Sequence, residues 1–137
     1  HPCTKAVSYM IKNFKVEYFP LLQKWLFEHG HIDIVLDELP ALGYAVCTDT
    51  GVPLAMGFLR LAEGNMAIID SIAGNPDAKP KEVSEAIDTL FEKLIQVATD
   101  LKIKYLVGAT VKNSLVRRTT NKHGFILSDF KLLVKKI

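Results

Sequence analysis

Residues 73–84 have the residue types of an anion-binding turn. Their sequence is AGNPDAKPKEVS, and it lies between a β-branched apolar run and a strongly periodic helix. The start of a helix offers three or four unpaired N–H groups and a positive dipole end, which together bind phosphate groups without a special side chain. Phosphate-binding loops are usually rich in glycine, whereas this segment has only Gly74. Two interpretations stay open: an anion-binding turn, or a plain connection in which Pro80 starts the helix and Glu82 complements its dipole.

Two polar side chains, Asp70 and Ser71, interrupt the apolar run that precedes this turn. Because successive residues of a strand point to opposite faces of the sheet, one of them lies on each side. Asp70 is the carboxylate best placed to take a proton from a reacting group, directly or through a water molecule. The alternative is that Asp70 only caps or pairs with a neighbouring group.

A second polar cluster, His29, His31 and Asp33, has a spacing that superficially resembles a set of metal ligands. Metal sites in proteins need three or four ligands, and the sequence has no further cluster of ligand residues to complete this one. A histidine followed by glycine is also a common way to end a helix. We therefore predict no metal site.

The composition is that of one globular domain spanning residues 1–137. Apolar residues make up 49% of the chain, which is enough to build a hydrophobic core at this length. No apolar run approaches the roughly 18 residues that a membrane-spanning helix needs. Cys3 and Cys47 form neither a disulfide framework nor a zinc pattern, and Cys47 alternates with apolar neighbours as a core residue does. We predict a cytoplasmic domain with no membrane association.

Positive charge is concentrated in the C-terminal part of the chain. Residues 112–137 carry seven basic residues and one acidic residue, a local net charge of +6, whereas the whole chain has a net charge of +2. This asymmetry predicts that the C-terminal part faces an anionic group, whether a phosphorylated cofactor, a nucleic acid or an acidic protein. Nucleic-acid binding is disfavoured, because no aromatic residue lies among the basic residues of the segment 112–122.

Hydrophobic periodicity predicts how strands and helices follow one another. Residues 81–101 form the clearest helix, since apolar residues recur along one face of it. Short turns between apolar runs predict an antiparallel three-stranded meander before this helix. The strand after the helix must run parallel to the last meander strand, and ligands bind at the carboxyl ends of such strands. The predicted strands cover residues 6–14, 42–49, 53–62, 66–73, 104–111, 124–129 and 130–137; the other predicted helices cover residues 16–29 and 113–123, with a short helix or an irregular loop at 31–40.

This order of elements resembles the GNAT superfamily of acyl-CoA N-acyltransferases over nearly the whole chain. Two local segments add to the resemblance. Asn113 lies twelve residues before Phe125, which is the separation in that family between an asparagine and the phenylalanine of a Gly-Phe pair. Residues 79–84, KPKEVS, occupy the place of the family's Q/R-x-x-G-x-G/A pyrophosphate loop.

The resemblance implies an α/β (α+β) fold with a mixed, mostly antiparallel central sheet of about six to seven strands and helices on both faces. It implies an N-acyltransferase that moves an acetyl group from acetyl-CoA, or another acyl group from its acyl-CoA, to a primary amine by direct attack. The acceptor is a small-molecule or protein amine, its pocket is built from the loop that holds His31 and Asp33, and the oligomeric state is open, a homodimer included. The implied cofactor-binding residues are Ile72, Ala73, Gly74, Lys79, Lys81, Glu82, Val83, Ser84, Asn113 and Arg117, with the adjacent Arg118 as the alternative to Arg117 near the phosphates. The implied catalytic residues are Asp70, Ser71 and Thr120.

Three positions depart from the family pattern. Glu82 and Ser84 stand where the loop has glycine or alanine, and Thr120 stands where a catalytic tyrosine is common. If the loop needs a positive φ at Glu82, the backbone there is strained by about 1 kcal/mol or more. A threonine hydroxyl is a poor acid, and the loss of a general acid costs about 10² to 10⁴ in rate. A second hypothesis therefore stays open: a GNAT-like domain that has lost catalysis and serves as a binding or structural protein.

Overall fold

The computed structural model describes residues 8–30, 35–110, 112–129, 133, 135 and 137. This part of the chain forms one five-stranded sheet and three α-helices. The strands are β1 (Met10–Asn13), β2 (Leu42–Cys47), β3 (Pro53–Leu61), β4 (Met66–Gly74) and β5 (Tyr105–Val107). The α-helices are α1 (Phe19–Glu28), α2 (Pro80–Asp100) and α3 (Asn113–Lys122), and short 3₁₀ helices cover Val16–Tyr18 and Leu36–Glu38.

The sheet has the strand order β1-β2-β3-β4-β5. Strands β1 to β4 pair in antiparallel fashion, and β5 pairs parallel with β4. Short turns join β2, β3 and β4, whereas α2 provides the longer crossover that a parallel pair requires. The predicted meander and the predicted parallel pair are both confirmed.

The hydrophobic core lies on both faces of the sheet, and β2 shows how. Its alternate residues point to opposite helices. Tyr44 and Val46 pack with α2, whereas Ala45 and Cys47 pack with α1. Cys47 is fully buried and has a free thiol whose pKa is raised by burial. Its predicted role as a small core residue is therefore confirmed, as is the placement of helices on both faces.

Helix α2 starts at a proline and buries one apolar stripe. Pro80 suits the first turn because an N–H at that position has no helical partner. Ala86, Leu90 and Leu94 recur at four-residue spacing and are fully buried against the sheet. Just past the end of the helix, Lys102 takes a left-handed backbone with φ 62°. The predicted helix over residues 81–101 is confirmed to within one residue at each end.

A bulge bends β4 away from β5. Ser71 and Ile72 of β4 together oppose Gly57 of β3, and Ser71 has a φ of 54°. An extra residue in one strand disrupts the ladder locally and bends that strand. β4 pairs with β5 only along its first three residues, Met66 to Ile68. The two parallel strands therefore separate toward their carboxyl ends.

Strand β5 is shorter and more exposed than the sequence predicts. A buried strand is expected over residues 104–111, but β5 has three residues, and Tyr105 and Val107 are 67% and 45% exposed. Because a strand persists only where its backbone groups find partners, the departure of β4 explains the short length of β5.

The predicted strand count is also too high for the described part of the chain. Residues 124–129 form no strand there. The N–H of Phe125 instead donates to the carbonyl oxygen of Thr119, at the end of α3, over 3.1 Å. Most of the strand predicted at 130–137 lies outside the described residues. Five strands are therefore described, against six to seven expected.

The N-terminal part departs from prediction in detail only. The expected helix over residues 16–29 begins as a 3₁₀ turn, and α1 proper starts at Phe19. Pro20 then falls in the first turn of α1, where proline is tolerated. Of the segment 31–40, residues 31–34 lie outside the described part, and the rest holds one 3₁₀ turn. In the described ranges, no helix combines the length and the apolar character needed to cross a membrane.

Candidate functional site

The separation of β4 from β5 opens a cleft of about 810 Å³. Its walls are formed by the second half of β4 with the turn that follows (residues 71–76), the start of α2, the segment after β5 (residues 108–110) and α3. This is the position at which open α/β sheets bind ligands, at the carboxyl ends of parallel strands. Most of the lining is apolar, with a small number of polar side chains, as in ligand sites generally.

The start of α2 leaves backbone donors unpaired at one end of the cleft. Its N-cap residue, Lys79, makes no side-chain cap hydrogen bond. The N–H of Val83 donates to the carbonyl oxygen of Lys79 over 3.0 Å. The N–H groups of Lys81 and Glu82 come before this bond and have no partner within the helix. Donors of this kind, together with the helix dipole, favour an anion.

The absence of loop glycines causes no backbone strain here. None of residues 79–84 has a positive φ, and Glu82 lies in the first turn of α2. The strain considered for Glu82 therefore does not arise, because the helix already begins at Pro80. A side chain at position 82 or 84 is compatible with this backbone.

Gly74 lets the end of β4 approach α2 closely. A Cβ atom at this position would lie 2.6 Å from Cγ1 of Val83 and 3.4 Å from Cδ1 of Ile87. Contacts below 3.0 Å force a neighbour to move, and Val83 is a short branched side chain with little freedom to do so. Gly74 therefore sets the spacing between the floor of the cleft and the helix start.

Asn75 fixes the turn between β4 and α2. Its N–H donates to the carbonyl oxygen of Leu54 over 2.8 Å, and its side-chain amide donates to the carbonyl oxygen of Pro53 over 3.0 Å. Its side-chain oxygen accepts a hydrogen bond of 2.9 Å from the N–H of Asp77. Such an Asx turn replaces the backbone pairing that the chain loses on leaving the sheet.

Arg118 of α3 places a cation beside the start of α2. Its guanidinium donates to Oγ and to the carbonyl oxygen of Ser84 over 2.6 and 3.0 Å, and it forms a 2.8 Å ion pair with Asp88. Burial alone raises the pKa of Asp88, but hydrogen bonds from Arg118, His123 and Lys122 outweigh this effect and hold the pKa below its ordinary value. Asp88 therefore stays ionised and orients Arg118.

His123 secures the end of α3 on α2. Its side chain is 5% exposed and lies 3.0 Å from Oδ1 of Asp88. The imidazole stacks on the ring of Phe91, with ring centroids 5.3 Å apart. The ring of Phe125 packs edge-on against the Phe91 ring, with centroids 6.2 Å apart. These contacts hold α3 and Arg118 in a fixed position relative to the cleft.

Asp70 and Ser71 form a polar pair at the bulge. Nε and Nη2 of Arg60 lie 2.9 and 2.8 Å from Oδ2 of Asp70, and the hydroxyl of Ser71 donates to Oδ1 over 2.9 Å. Arg60 also donates to the carbonyl oxygen of Glu38 over 2.7 Å. Ser71 lines the cleft, but Asp70 does not. The Ser71 hydroxyl therefore links the cleft to a carboxylate outside it.

His29 and Lys112 meet at the cleft although they are 83 residues apart in sequence. Nζ of Lys112 lies 2.9 Å from Nδ1 of His29, and Nε2 of the same ring lies 3.4 Å from the carbonyl oxygen of Gly74. Both side chains line the cleft. No spacing pattern connects residues so distant, and the concentration of positive charge from residue 112 onward is the only signal that pointed toward Lys112.

The cofactor-binding residues that the sequence predicts fall into two groups. Those that line the cleft are Ile72, Ala73, Gly74, Val83 and Ser84. Those outside its lining are Lys79, Lys81, Glu82, Asn113 and Arg117. Of the two adjacent arginines of α3, Arg118 lines the cleft, whereas Arg117 is exposed and lies outside the lining. The choice between the two adjacent arginines depends on the helical phase of α3, which its weak periodicity does not define.

Thr120 directs its hydroxyl to its own helix. The hydroxyl donates to the carbonyl oxygens of Val116 and Arg117, at 2.8 and 3.3 Å. The neighbouring Thr119 lines the cleft, and its hydroxyl donates in the same way to Leu115 over 2.9 Å. Both protons are therefore used within α3.

No group of three or more His, Cys, Asp or Glu side chains that could hold a metal ion is present in the part of the chain that the structure describes. His31 and Asp33, the other members of the histidine cluster, lie outside that part.

Comparison with known proteins identifies the fold. No protein-family model matches the sequence, and no curated protein matches it at a significant level. Solved structures do match. An aminoglycoside 6'-N-acetyltransferase from Acinetobacter baumannii superimposes with a TM-score of 0.66 and 18% identity, covering 95% of this chain and 99% of that chain.

Two further solved structures share this fold. A GNAT-family acetyltransferase from Staphylococcus aureus has a TM-score of 0.64 and 15% identity, over 93% of this chain and 95% of that chain. A predicted acetyltransferase from Clostridium acetobutylicum, solved with acetyl-CoA, has a TM-score of 0.63 and 12% identity, over 93% and 96% of the two chains. The fold is that of the GNAT superfamily, as the resemblance predicts.

Proposed function

We propose that this protein binds an acyl-CoA in the cleft between β4 and β5 and transfers its acyl group to a primary amine. The observation that carries this proposal is the separation of the two parallel strands beyond Ile68, beside the unpaired start of α2. Backbone N–H and C=O groups that face no ladder partner bind an extended polar chain. A helix start binds phosphate. Coenzyme A presents both features, in its pantetheine arm and its pyrophosphate.

The pyrophosphate binds at the start of α2. The N–H groups of Lys81 and Glu82 supply two donors there. Because Oγ of Ser84 accepts its hydrogen bond from Arg118, the hydroxyl proton of Ser84 remains to donate to a phosphate oxygen. Arg118 adds a positive charge that Asp88 neutralises only in part, since Asp88 is shared with Lys122 and His123.

The pantetheine arm lies along the second half of β4. Ile72, Ala73 and Gly74 line the cleft with backbone groups that β5 does not pair, because the ladder with β5 ends at Ile68. The arm carries amide donors and acceptors that extend like a strand, so it replaces the missing neighbour of β4. Its thioester then lies close to the bulge at Ser71.

Transfer requires that the acceptor amine lose a proton, because a lysine-like ammonium has a pKa near 10.4. Ser71 and Asp70 provide a route for that proton. Ser71 lines the cleft, and its hydroxyl already donates to Oδ1 of Asp70. As the amine attacks the thioester carbon, Ser71 accepts the amine proton and passes its own proton to Asp70. The thiol of coenzyme A, with a pKa near 8.5, leaves readily as a thiolate.

Acetyl-CoA is the proposed donor and a small-molecule or protein amine the proposed acceptor. The presence of acetyl-CoA in the Clostridium structure and the aminoglycoside substrate of the Acinetobacter enzyme support these choices by analogy of fold. The acceptor then approaches from the α1 face of the sheet, toward which Asp70 points.

A second candidate function is an acyl-CoA-binding domain without transferase activity. Two observations favour it. The carboxylate of Asp70 already accepts hydrogen bonds from Arg60 and Ser71, and the hydroxyl of Thr120 is bonded within α3. In that case the binding site described above is kept, and the proton transfers are lost.

Release of free thiol from acetyl-CoA, measured with a panel of primary amines, separates the two candidates. A transferase releases thiol only when an acceptor is present, and mass spectrometry then detects one acetyl group on that acceptor per thiol. If acetyl-CoA binds but no thiol is released with aminoglycosides, amino sugars, polyamines or lysine peptides, the result supports an acyl-CoA-binding domain instead. The Ser84→Asp variant serves as the background control, because it places a like charge beside the pyrophosphate.

A further inference from the structure

The cleft holds one primary amine and one imidazole among the residues that the structure describes. The amine belongs to Lys112, the N-cap residue of α3, and the imidazole to His29, which follows α1. Lys79 and Lys81 lie outside the lining, although the backbone N–H of Lys81 is one of the two donors proposed for the pyrophosphate. Lys112 and His29 are in hydrogen-bond contact, with Nζ of Lys112 2.9 Å from Nδ1 of His29.

The hydrogen bonds fix which nitrogen of His29 is the base. An ammonium group has donors and no lone pair, so Nζ of Lys112 donates to Nδ1 of His29. The proton of the neutral ring then resides on Nε2, which faces the carbonyl oxygen of Gly74 at 3.4 Å. The ring is also held by its own backbone, since the N–H of His29 donates to Trp25 and Leu26 over 3.1 Å each. A neutral imidazole whose Nδ1 lone pair accepts a hydrogen bond from an ammonium group is positioned to act as a general base.

We propose that Lys112 is a self-acylation site of this protein and that His29 is the base that activates it. This inference rests on the proposed binding of acyl-CoA in the same cleft. Nδ1 of His29 takes a proton from the ammonium of Lys112, and the neutral amine attacks the thioester carbonyl carbon. A C–N bond forms and the C–S bond breaks. The thiolate of coenzyme A leaves and takes up the proton held by His29, and the second amine proton passes to solvent.

The position of the pair suits this reaction. The imidazole contacts the carbonyl oxygen of Gly74, and Gly74 lies at the end of the backbone stretch proposed to carry the pantetheine arm. Ser71 and Ile72, beside which the thioester lies in the proposed complex, line the same cleft as Lys112. The side chain of Lys112 is exposed and has four rotatable methylene groups, so the amine is free to move from the imidazole along the cleft toward the thioester carbon.

The test is site-resolved mass spectrometry of the purified full chain after incubation with acetyl-CoA at neutral pH. Lys24 is the internal reference, because it is a surface lysine with a 57% exposed side chain and only a loose 3.6 Å ion pair to Asp77. We expect acetylation of Lys112 to be about 10²-fold faster than that of Lys24, the usual range for a positioned base. Comparable rates at the two lysines overturn the inference.

Two further measurements assign the chemistry to the cleft. The His29→Asn variant should lower the acetylation rate of Lys112 about 10²-fold and leave Lys24 unchanged. Excess free CoA added to the unaltered protein should suppress acetylation of Lys112 but not of Lys24, and this comparison does not depend on whether a variant folds. If neither His29→Asn nor competing CoA changes the acetylation rate of Lys112, this lysine has ordinary surface reactivity, and the inference is overturned.

Calorimetric titration of the same samples with acetyl-CoA separates the two proposals. Binding without selective acetylation of Lys112 overturns the self-acylation site and leaves the proposed function in place. The absence of any binding overturns both. The Lys112→Arg variant, which keeps the charge but offers no acylatable amine, should bind acetyl-CoA and lose the acetyl group that the wild-type chain gains at this position.

Discussion

At the scale of the residue, a substitution of Asp70 distinguishes a catalytic role of the bulge from a structural one. Its carboxylate joins Arg60 on one side and Ser71 on the other. We expect Asp70→Asn to lower turnover with an external amine by about 10² to 10⁴, because an amide cannot take up the proton that Ser71 delivers. Acetyl-CoA affinity should stay within a few-fold of wild type. Steady-state kinetics and calorimetry on the same preparations measure the two quantities.

Arg60→Gln is the matched control for this experiment. It removes the same ion pair, with its 2.8 and 2.9 Å contacts, but leaves the carboxylate of Asp70 in place. A proton acceptor survives this substitution, so most of the turnover should be kept. Equal losses of turnover in the two variants would mean that Asp70 serves only to hold Arg60 and the bulge.

Gly74 gives a second prediction at the same scale. Gly74→Ala should lower the free energy of unfolding by about 1 to 3 kcal/mol, the usual range for overpacking, because the new methyl group lies 2.6 Å from Cγ1 of Val83. Urea denaturation measures the change. In a double-mutant cycle, Val83→Ala should relieve much of this loss. Additive effects in the double variant would show that the crowding lies elsewhere.

Residue roles were only partly predictable from the sequence. The resemblance implied Ile72, Ala73, Gly74, Val83 and Ser84, and the structure brings all five to the lining of the cleft, where β4 leads into α2. The pairing of His29 with Lys112 was not predictable, because it joins residues 83 positions apart through the tertiary fold. The choice of Arg118 rather than Arg117 required the rotation of α3 about its axis, which its two apolar residues, Leu115 and Val116, do not specify.

At the scale of the element, Asp88 couples α2 to α3. It accepts from Arg118, Lys122 and His123, and these hydrogen bonds hold its pKa below the ordinary value despite burial. We expect Asp88→Asn to cost about 1.5 to 3 kcal/mol of unfolding free energy at pH 7, the range for hydrogen bonds to charged groups. Urea denaturation followed by circular dichroism measures it.

The pH dependence of this loss has a defined sign. A carboxyl group with a lowered folded-state pKa contributes its stability above the unfolded-state pKa, near 3.9, and loses it as the pH falls through the folded-state pKa. The wild-type advantage over Asp88→Asn should therefore be full at pH 5 to 7 and shrink below about pH 4. Asp100→Asn, an exposed change at the end of the same helix, should shift stability by no more than about 0.5 kcal/mol. An advantage that is constant with pH would contradict the ion-pair account.

Elements with strong periodicity were predictable, and elements defined by their neighbours were not. The bounds of α2 followed from its long apolar stripe, and the meander followed from short turns between apolar runs. The bulge at Ser71 carries no local signal, because serine has no special preference for a φ of 54°. The early end of β5 follows from that bulge, so it was not predictable either.

At the scale of the whole molecule, the sheet, the bulge and the crossover helix act together to make one site. Strand separation exposes unpaired backbone groups, α2 presents its positive end, and α3 brings Arg118 and Lys112 to the opposite wall. The basic residues from position 112 onward therefore include Lys112 and Arg118, which lie at the proposed site of an anionic cofactor. A phosphorylated cofactor is one of the three partners that the charge asymmetry predicts. The order of elements predicted the meander, the parallel pair and the edge of the sheet at which the cleft lies, because a strand–helix–strand crossover has one favoured hand and one ligand-binding edge.

The central claim is that this cleft binds acyl-CoA through the start of α2, and calorimetric titration with acetyl-CoA tests it most directly. Wild-type protein should bind with micromolar affinity, about −8 kcal/mol. Ser84→Asn should stay within about tenfold of that affinity, whereas Ser84→Asp, similar in size but negatively charged, should bind about 100-fold more weakly or not at all. No binding by the wild-type chain at millimolar acetyl-CoA, or equal binding by the two Ser84 variants, would contradict the account.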